Sequence, residues 1–427
     1  MISKLIKNTQ SSFVKNFGIY TISSYVNKAI PFFLLPLMTN YMSTDDYGET
    51  TMFLALTSLI MSIIGWGIDG ALLRKYYEVP KNKISNIIGN YLILLMGSSL
   101  VIYVVLLLSG NKLEKYIGVS NLYFPLAIVF SVFSVVCACV NAVHQAERKP
   151  MVYAFFTNSW TLVNALLSIL FVVCLERGAL GRILGITISA VVIGLIGLFL
   201  IRREVGIDFS VKKSILKEEL VVFGIPLLPM NLKGTILEFT DRIFIANIIS
   251  VSASGIYAVG NQFALVVDVF VRSMALALTP WIYEKLRQSN QKAKHDIVRL
   301  VYLLGGAIVL ISTLWYFIAQ LGLKMFIDEA YWDARAYLGW LILSKAFIGM
   351  QLIMVNFIYY TKKTNMYALI SFITIILNIC LNYLFALHLG AIGVAQATVM
   401  VYGITLVMTM CLVYRLIPLP WFSFFRK

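Results

Sequence analysis

The sequence predicts an all-α polytopic membrane protein: twelve transmembrane helices in two six-helix parallel repeats, forming two lobes around a central cavity. Three observations carry this expectation. ERKPMVYA at 147–154 and TKKTNMYA at 361–368 are displaced by 214 positions, as are NALLS at 164–168 and NICLN at 378–382, and GALG at 178–181 returns as GAIG at 390–393. Strings that recur at nearly one displacement mark a duplicated unit, with an N-terminal lobe over 1–205 and a C-terminal lobe over 206–427. Next, 60% of the 427 residues are apolar and only 13% are charged, which lies outside the soluble globular class. Finally, with the N-terminus inside, 24 of the 35 Lys and Arg residues fall on the cytoplasmic side, 6 outside and 5 within spans. The positive-inside rule then puts both termini in the cytoplasm. That asymmetry explains most of the +15 net charge, so the basic balance gives no reason to expect a nucleic-acid partner.

The elements follow in order from the length rule. Crossing the roughly 30 Å of hydrocarbon takes about 20 apolar residues in a helix. Twelve stretches qualify: 14–40, 50–73, 85–109, 121–143, 151–175, 179–201, 219–249, 254–281, 298–320, 335–360, 364–388 and 391–414. Ahead of the first, lysines spread among Ile, Leu and Phe predict a short interfacial amphipathic helix rather than a cleaved signal. Phe17-Gly18-Ile19 opens the first span and Phe223-Gly224-Ile225 the seventh, each followed by two prolines, Pro31 and Pro36 or Pro226 and Pro229. Six spans per copy is an even number, so both copies insert with one orientation, related by an axis along the membrane normal. No polar segment is long enough for a soluble domain, which confines function to the membrane and its faces. The five cysteines lie in spans and show neither disulfide nor metal-ligand spacing.

Charges within the spans point to the site. Lys28 lies midway along span 1, Lys233 and Glu238 in span 7, Asp268 and Arg272 in span 8, and Lys345 in span 10. Asp69 sits near the inner end of span 2, and Asp241 and Arg242 towards the outer end of span 7. Glu238 with Arg242, and Asp268 with Arg272, have the i,i+4 spacing of helical ion pairs. Lys28, Lys233 and Lys345 lack such a partner, and a lysine at the bilayer centre costs about 2.5–3.5 kcal/mol even on the mildest scale. They are expected to line a hydrated cavity or to meet an anion. Ser24 shares the face of Lys28, and Asn261 that of Asp268 and Arg272, so the candidate cavity residues are Lys28, Arg272, Lys345, Lys233, Ser24 and Asn261. Glu238, Asp268, Asp241 and Asp69 are candidates for coupling to H⁺ or Na⁺. The repeat also duplicates a polar stripe, Thr157, Thr161, Asn164 and Ser168 against Ser371, Thr374, Asn378 and Asn382. Such a stripe can line a path or bond neighbouring helices. No residue pattern suggests catalysis or a metal centre.

The segment FGIYTISSYVNKAIPFFLLPLMTNYMSTDDYGE, the turns QAERKPMVYA and RGALG, and in the second half DRIFIANIISVSASGIYAVGNQFA and FIDEAYWDARAYLGWLIL follow one another over nearly the whole chain. In that order they resemble the Wzx-type flippases for O-antigen and other polysaccharide repeat units, within the multidrug/oligosaccharidyl-lipid/polysaccharide exporter superfamily. The resemblance implies alternating access that moves undecaprenyl-pyrophosphate-linked oligosaccharide from the cytoplasmic to the outer leaflet of the bacterial cytoplasmic (inner) membrane, for surface polysaccharide synthesis. It implies membrane lipids, a polysaccharide polymerase and a chain-length regulator as partners. It also implies a cation-lined cavity, matched here by Lys28, Arg272 and Lys345, with no catalytic signature and no cofactor beyond the coupling ion. Two rivals remain. A cation-coupled drug antiporter of the same superfamily would want unpaired carboxylates in its cavity. A membrane polymerase or glycosyltransferase would want a larger catalytic loop than the one holding Asp328, Glu329 and Asp333.

Overall fold

A computed structural model describes residues 2–211, 225–288 and 290–421. Every regular element among them is helical. The first seven helices are α1 (Ile2–Tyr41), α2 (Thr44–Ile64), α3 (Ile68–Glu78), α4 (Lys81–Ile117), α5 (Phe124–Ala146), α6 (Pro150–Ile169) and α7 (Gly178–Glu204). After them come α8 (Ile225–Ile248), α9 (Val251–Gln288), α10 (Gln291–Phe326), α11 (Arg335–Tyr360) and α12 (Thr364–Leu416).

Nine stretches of the described residues are long and apolar enough to cross a membrane. The last of them, α12, has 53 residues, over twice the roughly 20 a crossing needs. It breaks at Gly390, whose φ of 65° and ψ of −147° interrupt the helix between the stretches expected as spans 11 and 12. Expected span 2 is split between α2 and α3, where Trp66 and Gly67 take φ values of 50° and 65°. Residues 219–224 of expected span 7, with the Phe223-Gly224 start signal, lie outside the described residues.

The chain divides into two compact units, Met1–Thr235 and Ile236–Lys427. In the first, α5 and α7 are central, and α7 packs against α2, α5 and α6. Gly185 lies against Ser168 and Gly197 against Val140 and Phe156, so small residues let these helices approach closely. Asp46 serves two helix starts. Its Oδ2 accepts from the Ser43 N–H (3.3 Å) in the capping box of α2, and its Oδ1 accepts from the Ala179 N–H (3.0 Å) in the first turn of α7. The segment after α7 is fastened to α4. Asn86 Nδ2 donates to Asp208 Oδ2 (3.0 Å) and to the Ser210 carbonyl (2.8 Å), and the Asp208 N–H donates to the Ser85 carbonyl (3.0 Å). Within the second unit α11 is central, packing on α9, α10 and α12.

The two turns carrying the 214-position repeat fold alike. Arg148 and Lys362 both take the left-handed conformation, at φ 56° and 58°. Arg148 N–H donates to the Gln145 carbonyl and Lys149 N–H to that of His144; Lys362 and Lys363 do the same to Tyr359 and Ile358. In the first turn Lys149 also bonds Glu147 and Glu204, both at 2.7 Å. These charge-assisted bonds hold its amine pKa above the usual lysine value.

Candidate ion and substrate site

In the second unit α8 delivers Asp241 into a buried polar cluster. Asn378 Nδ2 donates to its Oδ1 at 3.2 Å and Asn382 Nδ2 at 2.5 Å, while Thr398 Oγ1 donates to its Oδ2 at 3.1 Å. Asn378 and Asn382 stand one turn apart on α12 before Gly390, and Thr398 follows it, so the break lets one long helix approach Asp241 from two directions. Both asparagines are fully buried, and Asp241 is 9% exposed. Among the described residues no cation lies within salt-bridge distance of Asp241.

The cluster borders a small cavity of about 20 Å³, whose lining includes Glu238, Arg242, Asn261, Ser344, Lys345 and Tyr402. That is room for roughly one water molecule or a bare ion. Polar groups around it are left without partners: the carbonyl oxygens of Asn378 and Asn382 and the hydroxyl of Tyr257 are buried and make no hydrogen bond. Each orphan of this kind costs about 1–3 kcal/mol. A terminal amide can also be turned over, since its oxygen and nitrogen have nearly the same shape. Turned, Asn378 and Asn382 would join the carboxylate and the Thr398 hydroxyl in offering oxygens to one point. Hard monovalent and divalent cations favour oxygen donor sets of this kind.

Most of the residues singled out on α8, α9 and α11 come together here. Asp241, Glu238, Asn261 and Lys345 line the same cavity. The expected Asp268–Arg272 pair forms at 2.7 Å, with Asp268 buried and the arginine side chain 49% exposed. Lys28 and Ser24 lie on exposed positions of α1, Lys233 is half-buried in α8, and Asp69 is exposed at the start of α3; all four belong to the first unit. Of the four acidic candidates, only Asp241 is enclosed by neutral donors. The duplicated stripe is in part bonding between packed segments: Thr161 Oγ1 on α6 donates to Asn27 Oδ1 on α1 at 2.6 Å, and the hydroxyls of Thr374 and Thr405, on the two arms of α12, meet at 3.0 Å.

Two participants escape a reading of the sequence. Thr398 lies in a largely apolar run, and its main signal is the period linking it to Thr405 and Thr409 on one helical face. Arg182, one of the six basic residues counted outside although the span at 179–201 takes it in, stands in the second turn of α7. Its Nη1 donates to Asn164 Oδ1 at 3.0 Å and to Ser168 Oγ, and among the described residues no carboxylate pairs with it.

Known proteins bear on this arrangement in two ways. The family described as polysaccharide biosynthesis protein matches residues 13–285, and the MatE family matches residues 226–384. An uncharacterized membrane protein of Haemophilus influenzae is 27% identical over 398 residues, spanning 92% of each chain. The Lsg locus putative protein 1 of the same organism is 25% identical over 377 residues, 86% of this chain and 89% of that one. Among solved structures, the lipid II flippase MurJ in an inward closed conformation superposes with a TM-score of 0.73 at 15% identity, covering 92% of this chain and 87% of that one. An inward-facing multidrug resistance MATE transporter superposes with a TM-score of 0.68 at 16% identity, covering 92% and 98%. At such identities the likeness establishes the fold, which is that of the multidrug/oligosaccharidyl-lipid/polysaccharide exporters. With more than half its length matched, this multi-pass membrane protein belongs to the polysaccharide biosynthesis protein family.

Proposed function

We propose that the chain is a flippase that moves undecaprenyl-pyrophosphate-linked oligosaccharide repeat units, such as those of O-antigen, from the cytoplasmic to the outer leaflet by alternating access. Its two lobes would be twelve crossings in two repeats, 1–205 and 206–427, with both termini in the cytoplasm of a bacterial inner membrane. A polymerase and a chain-length regulator would take up the product; no covalent step is required of the chain itself. The observation that carries this reading is Lys28, a basic side chain on an exposed position within α1 that has no acidic partner among the described residues. Such a cation suits a diphosphate headgroup and repels a cationic drug in a poorly screened interior.

Coupling is assigned to Na⁺ at Asp241. The two orphan amide oxygens favour a cation over a proton, because a proton on the carboxylate would supply one donor to at least two acceptors. A second reading, a cation-coupled antiporter, draws support from the MatE match and from the same acidic site. Reconstituted vesicles separate the two. The flippase should move a fluorescent lipid-linked oligosaccharide between leaflets under an inward Na⁺ gradient and leave a lipophilic cationic dye where it is. Dye export with an unmoved oligosaccharide would establish the antiporter instead.

A further inference from the structure

A second cavity in the C-terminal unit, of about 760 Å³, is an open groove lined by α10, α11 and the last turns of α12. That volume is within the range of about 300–1,000 Å³ typical of small-molecule sites. Its walls are apolar, with Val309, Met350, Ile353, Met354, Leu406 and Met410 among them. On α10, Gly305 and Gly306 border it, and a Cβ built on either would meet nothing within 4 Å. The void is therefore made partly by side chains the sequence leaves out.

One end of this groove is polar. Arg415 lies in the last turn of α12, and no carboxylate among the described residues pairs with it. Trp421 is held beside it, its carbonyl accepting from the Tyr302 hydroxyl at 2.9 Å and its ring edge-on to Phe357 at 6.5 Å. The indole N–H of Trp421 is buried and has no acceptor. An unpaired cation thus stands at the end of an apolar slot, with Trp421 among the lining residues. Under the orientation proposed above, that end is at the cytoplasmic surface.

The groove is separate from the polar site. A helix turns about 100° per residue, so Met350 stands roughly 180° around α11 from Leu341 and roughly 140° from Lys345. Whatever enters the groove approaches α11 from the other side. We propose that it binds an anionic glycerophospholipid of the cytoplasmic leaflet, one acyl chain lying between α10, α11 and α12 and the phosphate resting at Arg415 and Trp421. Tail burial and headgroup charge act together, as two-signal membrane recognition does.

The test needs no transport assay, so its failure and that of the flippase reading are distinguishable. The purified full chain is equilibrated in nanodiscs of equal phosphatidylglycerol and phosphatidylethanolamine, and retained lipid is counted by native mass spectrometry. The chain should keep phosphatidylglycerol in preference. Arg415→Gln should cut that preference about fivefold, the factor expected for one basic side chain at an anionic surface. Gly305→Leu with Gly306→Leu should fill the slot and lose both lipids, and Val309→Trp gives the same blockade from the next turn of α10 if the glycine variant does not express. Unchanged preference in Arg415→Gln, or unchanged retention with the slot filled, overturns the proposal.

Discussion

The same pair of positions, one turn apart, holds opposite charges in the two halves. On α6, Asn164 and Ser168 turn oxygens towards the Arg182 guanidinium; on α12, 214 positions later, Asn378 and Asn382 turn amide nitrogens towards the Asp241 carboxylate. An amide offers both a donor and an acceptor, so the pair itself is neutral in sign, and the charge comes from the helix beside it. Alignment of the FGI signals places Leu35 opposite Asp241, and alignment of GALG with GAIG places Val394 opposite Arg182 and Ile186 opposite Thr398. All three apolar counterparts are buried. Each of the two stretches therefore has the polar pair and only one of the two charges beside it. The first half holds a cation whose need for acceptors is met by side chains, a fixed structural part. The second holds an anion beside orphan oxygens and a small cavity, an arrangement that a cation would complete.

If this contrast is right, removing both acceptors from Arg182 should do the most damage. Each hydrogen bond to a charged group contributes about 1.5–3 kcal/mol, so Asn164→Ala with Ser168→Ala should lower the melting temperature by about 6 °C or more. The loss should be the same in Na⁺ and in choline; a loss confined to one salt would make the first site an ion site too. A smaller effect is expected from Asn382→Ala. It should destabilise by about 1.5–3 kcal/mol and also weaken the response to Na⁺, which a titration of melting temperature against Na⁺ would show as a shifted midpoint. Lys345→Gln sharpens the comparison from the other side. Taking a like charge out of the cavity lining should move the Na⁺ midpoint to lower concentration while reducing oligosaccharide translocation, and an unchanged midpoint would mean that the lysine does not sense the site. The smallest stability effect belongs to Lys28→Ala. On an exposed position it should change stability by no more than about 0.5 kcal/mol, yet it should abolish translocation in the reconstituted assay.

The helices and the likeness of two turns 214 positions apart were legible because they rest on local signals. Apolar length and the two matching turns at Arg148 and Lys362 need no tertiary information. Asp241 was visible as a costly charge in a span, but its partners were not. Asn378 and Asn382 looked equally suited to lining a path, and only the packing of α8 against both arms of α12 shows that they face a carboxylate. Thr398 was hidden because one hydroxyl in an apolar run carries no spacing of its own. Arg182 was counted with the outer basic residues although the span at 179–201 takes it in, because its acceptors on α6 carry no local signal. In each case the missing information was which helix lies alongside, and that depends on contacts far apart in the chain.

The contrast between the halves comes down to one titration. The melting temperature of the purified chain is followed as NaCl replaces choline chloride at constant ionic strength, for the parent, Asp241→Asn and Arg182→Gln. Saturating binding to the folded state alone adds about 2.7 kcal/mol at one hundred times the dissociation constant, or several degrees for a unit of this size. The parent and Arg182→Gln should both show that saturable rise, and Asp241→Asn should show none. An equal rise in Asp241→Asn, or no rise in the parent, would contradict the assignment of the second half as the cation site.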